Sequence, residues 1–275
     1  YSIGDIYVYP DYSLGNDSLQ KNTDSLKIYK DLIIVDPKNK YKPDVFDRAL
    51  QFNKGDTYNR TNHNLSLNRL VNVGTFKFVK NEFRPSDSLN SALDAYYYLT
   101  PLPKKSIRVE LLGKTNSANY TGSEVNVNWT NRNAFRGAEQ LTITAFAGLE
   151  TQVSGQNGGF NVFRFGGDAS LTWPKFVTPF FKFKSVSAFT PKTVATLSFE
   201  YQDRSKLYSL NTFRGSFGYV WKENLRKEHS LKLSEITYTN SSNISELYQK
   251  QADTIPSLQR VIDKQLIFGP TYSFT

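Results

Sequence analysis

LDAYYYLTPLPKKSIRVELLGK, residues 93–114, divides the chain into two kinds of sequence. Ahead of it, helical and strand patterns mix as in a small soluble domain. Behind it, long strands follow one another with apolar residues at every second position. Pro101 and Pro103 stand at the divide. Proline cannot donate to a sheet ladder, so the pair marks a strand end and a junction. The stretch reads as the last strand of one domain handing over to the first strand of a membrane barrel.

Working back from the divide, Ala92 to Thr100 and Thr75 to Phe83 read as strands. Before them, Leu67, Leu70 and Val71 lie at i, i+3 and i+4, with Gly74 where a left-handed C-terminal residue is expected. That helix begins near Asn59 or Thr61, either of which can cap it. Pro43 and Asp44 suit the first turn of an earlier helix with Val45, Phe46, Ala49 and Leu50 on its apolar face. Leu32 to Val35 is a short strand, and Ile3, Ile6 and Val8 alternate in a first one. Residues 13–31, rich in Asn, Asp, Ser and Lys, are expected to form a polar loop or hairpin tip. The order predicted is strand, helix, helix, strand, strand, with the short strand inserted.

Working forward, the period is two. Ile107, Val109 and Leu111 oppose Ser106, Arg108 and Glu110. Val125, Val127 and Trp129 oppose Glu124, Asn126 and Asn128, and Leu141 to Leu149 follow. Phe163 to Trp173, Ala195 to Tyr201 and Phe213 to Trp221 repeat the alternation. A seventh strand begins at Leu231 and slips register near Glu235, and an eighth runs from Leu266 to Phe274. Residues 241–264 form a long polar, partly helical connection containing Pro256. Such strands fit tilted membrane-spanning β-strands. A soluble sandwich alternates in the same way. Aromatics near strand ends (Trp129, Trp173, Tyr219 with Trp221), charges within the polar face and simple up-down order favour the barrel.

The totals agree with both. A net charge of +9 and a pI near 9.4 favour anionic partners: nucleic acid, phosphate-rich lipid headgroups or acidic proteins. Cysteine is absent, which excludes disulfides and thiolate metal sites. Mean hydropathy is −0.50, and no apolar run is long enough for a transmembrane helix. A barrel keeps half of each strand toward a polar interior, so low hydropathy does not exclude one. The 17 Tyr and 20 Phe fit interfacial aromatic girdles. The chain opens on Tyr1 without an initiator Met and reads as a segment of something longer.

Catalysis finds little support. The only histidines are His63 and His229, and neither stands in a recognisable nucleophile–base pattern. No ligand cluster suggests a metal or other cofactor. Gly158-Gly159 and Gly166-Gly167 lack the strand-then-helix setting of a phosphate loop. Lys and Arg are dispersed rather than striped, so no nucleic-acid partner is expected. The reading is a non-enzymatic protein.

Residues 52–83, FNKGDTYNRTNHNLSLNRLVNVGTFKFVKNEF, resemble a POTRA domain, an α+β module of βααββ order. The matching positions are Leu67, Leu70, Gly74, Phe76 and Val79, with Val73 where leucine is commoner. Residues 122–148 and 214–233 resemble the opening barrel strands of the BamA/TamA outer-membrane assembly superfamily, nearest to TamL-type proteins of Bacteroidetes-type bacteria. The resemblance implies a POTRA-like periplasmic domain over 1–102 with a polar insertion near 13–31. It implies the N-terminal part of an antiparallel outer-membrane β-barrel over 103–275. About eight strands are counted against about sixteen in the family's barrel, an even number as such barrels have. Arg136-Gly137 and Arg214-Gly215, placed in early strands, are not the family's loop-six motif.

The resemblance also implies two working elements. The edge strand Thr75, Phe76, Lys77, Phe78, Val79 and Lys80 would capture extended polypeptide by strand addition. Phe76, Phe78 and Phe83 are expected to pack under the helices, since capture uses the backbone. The strand Ser106, Ile107, Arg108, Val109, Glu110, Leu111 and Gly113 would be a lateral gate on which clients template. Partners would be unfolded outer-membrane proteins, outer-membrane lipid and accessory assembly subunits. The alternatives are a porin-like or two-partner-secretion translocation barrel, and a soluble β-sandwich binding protein. Porins lack a preceding βααββ unit, so residues 52–83 favour assembly.

Overall fold

The computed structural model describes residues 1–13, 26–86, 91–115, 120–152, 161–178 and 187–275. Two sheets share the molecule. The smaller takes β1 (Ser2–Tyr9), β2 (Leu26–Tyr29), β3 (Leu32–Val35), β4 (Phe76–Pro85) and β5 (Ala92–Pro101) in the order β2-β3-β1-β5-β4. Strand β1 runs parallel to both β3 and β5, while β2–β3 and β4–β5 are antiparallel. Helices α1 (Asp44–Ala49) and α2 (Arg60–Asn72) supply the apolar layer against this sheet.

Alternation explains this half. Ile3, Ile6 and Val8 of β1, Ala95, Tyr97 and Leu99 of β5, and Phe46 and Leu70 of the helices form one buried cluster. The Asn59 side chain caps α2, accepting from the Asn62 N–H at 2.7 Å. Gly74 ends the helix with φ of +79°, a conformation glycine adopts without Cβ strain. Val71 departs from the apolar face read from the sequence and is 54% exposed. Ser66 and Arg69 are buried instead: Ser66 Oγ accepts from Gln51 N, and the Arg69 guanidinium donates to the carbonyls of Arg48 and Ser187. The predicted polar excursion also contains structure. Leu26–Tyr29 pairs with β3 through a tight turn at Lys30, whose φ is 54°. Residues 14–25 of that excursion lie outside the described residues.

The larger sheet is an eight-stranded antiparallel meander. Its strands are β6 (Lys105–Thr115), β7 (Tyr120–Asn131), β8 (Gln140–Gln152), β9 (Asn161–Trp173), β10 (Lys192–Arg204), β11 (Tyr208–Asn224), β12 (Lys227–Ser242) and β13 (Gln265–Phe274). The slip read near Glu235 is a register shift that pairs Phe217 with Ser234 but Gly218 with Lys232. Gly218 permits it: a Cβ there would sit 2.3 Å from the Leu231 carbonyl oxygen. Gly166-Gly167 lies within β9, and Gly158-Gly159 lies outside the described residues. Arg136-Gly137 is not in a strand, as the sequence suggested, but in the turn between β7 and β8.

Between β12 and β13 the polar connection folds into α3 (Glu246–Thr254) and α4 (Pro256–Ile262). Ser245 caps α3, accepting from Tyr248 N, and Pro256 opens α4, where its missing N–H costs no helical bond. Tyr248, Ala252 and Ile262 pack on Tyr208, Leu207 and Leu210 at one end of the sheet.

The other end meets the small sheet. The turn after β7 donates its Ala138 side chain to the small domain's core, accepts from Lys42 N at the Arg136 carbonyl, and bonds the Lys40 carbonyl through Asn133 Nδ2. Thr75 Oγ1 donates to the Arg132 carbonyl. The segment before β10 adds Ser187 and Thr190, both hydrogen-bonded to Arg69.

Candidate functional site

Cross-strand registers define two opposite faces of the large sheet. One row runs Ile107, Trp129, Ile143, Ala169, Leu197, Gly215, Ile236, Phe268 across all eight strands. The next runs Val109, Val127, Ala145, Gly167, Phe199, Phe213, Tyr238, Leu266. These rows are apolar and open: Val109 is 63% and Leu197 71% exposed. Monomeric soluble proteins rarely leave a continuous apolar surface of this extent in water. The β6 positions Ile107, Val109 and Leu111 all belong to this face.

The opposite face is polar. Arg108, Asn128, Thr144, Asp168, Ser198, Arg214 and Thr237 form one row, interrupted only at Ile267 on β13. Several charges on this face are paired. Glu124 accepts from Lys114 at 2.5 Å and from Arg164 at 2.8 Å, and Arg164 also lies 3.7 Å from Glu150. Asn128 bonds Thr144, and Ser170 bonds Thr196, across neighbouring strands. An apolar face backed by a polar one is the arrangement of a lipid-facing wall around an aqueous interior.

Both ends of this wall are free. Seven antiparallel steps separate β6 from β13, so the two edges run antiparallel to each other, and neither pairs with another described strand. Each exposes a row of backbone N–H and C=O groups, a template for further strands. Ser106, Arg108, Glu110 and Gly113 lie on the β6 edge with Ile107, Val109 and Leu111. Strand β13 carries Pro270, a residue sheets admit at edges and bulges, opposite the register shift in β12.

The small sheet has its own free edge, β4. Thr75 lies one residue ahead of this strand, and Phe76, Lys77, Phe78, Val79 and Lys80 form its first half. Phe76 is buried and Phe83 packs against the core, but Phe78 is 58% exposed. The sequence expectation fails at Phe78 because the register shift between Phe76 and Phe78 turns it to the side away from the helices. On that side Tyr7 stacks on Tyr96 at 4.8 Å, Tyr9 stacks on Tyr98 at 5.1 Å, and the Arg84 guanidinium lies 4.7 Å from the Tyr96 ring. Glu82, bridged to Lys80 and Arg84, is held below the ordinary carboxylate range by those hydrogen bonds. This tyrosine face was not singled out in the sequence. The triple Tyr96-Tyr97-Tyr98 was its signal, with Tyr97 in the core and its neighbours outside.

The histidines serve as aromatic partners. His63 packs near Phe83 and Tyr58. His229 stacks on Trp221 at 4.8 Å, and its nitrogens meet Tyr272 Oη and Glu223 Oε1. Neither has a serine nucleophile among these partners. No described helix is long and apolar enough to cross a membrane, which says nothing about strands.

No family model and no curated protein matches the chain. Several solved structures resemble it, two of them as follows. BamA from Haemophilus ducreyi lacking POTRA domains 1-3 is 10% identical, with a TM-score of 0.33 over 90% of this chain and 73% of that one. CdiB from Acinetobacter baumannii is 10% identical, with a TM-score of 0.37 over 88% of this chain and 46% of that one. The chain thus spans less than half of the CdiB structure. Likeness at this level carries no argument about function, which rests on the geometry.

Proposed function

We propose that the chain is the POTRA-type module and opening barrel strands of an outer-membrane assembly factor of the BamA/TamA kind. The observation that carries this reading is the open wall: an eight-stranded sheet, apolar on one face and polar on the other, with both edges unpaired among the described residues. Bilayer hydrocarbon accepts the apolar face, while the exposed backbone of an edge has no partner in lipid and requires a strand beside it. Strand β6 is then the lateral gate, where a client strand templates on the backbone of Ser106 to Gly113. In the periplasm, β4 captures extended polypeptide through its main chain. Lys77 and Lys80 keep that edge from pairing with other copies. Catalysis plays no part, and accessory subunits join through the small domain.

Photo-crosslinking tests this directly. A photoreactive residue at Lys80 or Arg108 should capture an unfolded outer-membrane client, while the same residue at Asp168, inside the wall, should not. Equal labelling at all three positions, or none, overturns the assembly reading. An ion-conducting barrel that takes no crosslink at β6 establishes the passive translocator in its place.

A further inference from the structure

We infer that the end of the wall nearest the small sheet binds anionic phospholipid headgroups. This rests on the membrane reading and adds an orientation and a lipid class to it. Trp129, Trp173 and Trp221 are the chain's only tryptophans, and all lie on the apolar face toward this end.

Their registers carry the argument. Trp129 lies opposite Ile143 and Ile143 opposite Ala169, so Trp173 stands four residues further along on β9. Trp173 lies opposite Thr193 and Thr193 opposite Tyr219, so Trp221 stands two further on β11. From β7 to β11 the drift is therefore about 20 Å along the strands for about 19 Å across them, at ordinary strand spacings. A strand tilt of about 45° cancels it and brings the three rings to one level. Membrane barrels tilt by about that amount. The strand ends drift the same way: Asn131, where β7 closes, is level with Leu171 through Leu141 between them, and β9 runs on to Trp173. At the tilt a barrel needs, the tryptophans form a ring, the position such amphipathic groups take at a hydrocarbon boundary.

Just beyond that ring stand exposed cations. Lys104, Lys105, Arg136 and Arg226 make no ion pair among the described residues. The acids beside them are already engaged. Glu139 is buried and accepts from Gly137 N, Glu228 pairs with Lys222, and Glu223 meets Lys227 and His229. The opposite end is balanced, with Lys114 and Arg164 committed to Glu124, and acids and bases alternating through α3 and α4. Among the described residues, the junction end is where such cations stand beside the tryptophans. Anionic phosphates in a bilayer surface complement it.

The test reconstitutes the full chain into bilayers of phosphatidylcholine, with and without phosphatidylglycerol. Tryptophan emission should be quenched more by lipids brominated near the headgroup than by lipids brominated at the acyl terminus; the reverse order overturns the belt and needs no variant. A labelled phosphatidylglycerol should associate several-fold better than labelled phosphatidylcholine. Substituting Lys104→Gln, Lys105→Gln and Arg226→Gln together should remove that preference. Lys206→Gln, Lys250→Gln and Lys264→Gln, at the other end, should leave it intact. Insertion with no headgroup preference, or equal loss in both variants, overturns the belt alone. Failure to enter either bilayer overturns the membrane reading as well.

Discussion

The two sheets obey the same alternation and use it oppositely. In the small sheet the apolar half of each strand faces α1 and α2, and Ile6, Val8 and Leu99 are wholly buried. In the large sheet the equivalent half faces outward, and Leu197 and Phe268 are among the most exposed apolar residues. Period two therefore reports that a strand separates two environments and leaves open which environments they are. What decides is the next element. Helices follow the first strands and supply an apolar layer; the later strands are followed by more strands, apart from α3 and α4 packed at one end of the sheet, and the layer is left to the solvent the molecule occupies.

Substitutions can break this contrast. The largest effect belongs to the small core: Phe46→Ala should cost about 3–5 kcal/mol in urea unfolding, since the ring is fully buried against Tyr41 and Phe76. Leu197→Arg sharpens the contrast most. In a bilayer it should destabilise the wall by about 2–4 kcal/mol. On a water-exposed surface the same change stays within about 0.5 kcal/mol. Folding titrations in lipid that give the small value would place the wall in water. Asn59→Ala removes the α2 cap and should cost about 1 kcal/mol, read in the small domain's unfolding midpoint.

The smallest effect is a pH response at β4. The hydrogen bonds from Lys80 and Arg84 lower the Glu82 pKa from 4.5, so their contribution is present above that value and is lost as pH falls through the lowered one. Wild type should therefore lose slightly more stability than Glu82→Gln between about pH 5 and about pH 3. Parallel curves for the two proteins would show that the bridge contributes nothing.

Much of the architecture was legible because local chemistry and tertiary role agree. Gly74 had to end a helix, Pro101 to end a strand, and the slip near Glu235 to shift a ladder. The misses are residues whose role is set by distant partners. Val71 has helical spacing for the core yet faces outward. Arg69 takes a buried place because carbonyls from α1 and from Ser187 wait for its guanidinium. Leu26–Tyr29 sits in a polar stretch and becomes a strand because β3 offers an edge. Phe78 follows its strand's shifted register instead of its hydropathy. The sequence placed the tryptophans near strand ends, but their relative levels follow only from the cross-strand pairing.

Among the described residues the small domain meets the wall in three places: through residues 102–104, at the turn carrying Ala138, and at Ser187 and Thr190. A body fastened at one point swivels freely, and at two points it swings about a line. Attachments spread from β6 to β10 restrict both movements. The small domain is then a bracket bolted to the wall rather than a pendant on a tether, and the bearing of its β4 edge is set by the strands beneath it. A polypeptide lying along that edge would arrive at the wall from one fixed heading.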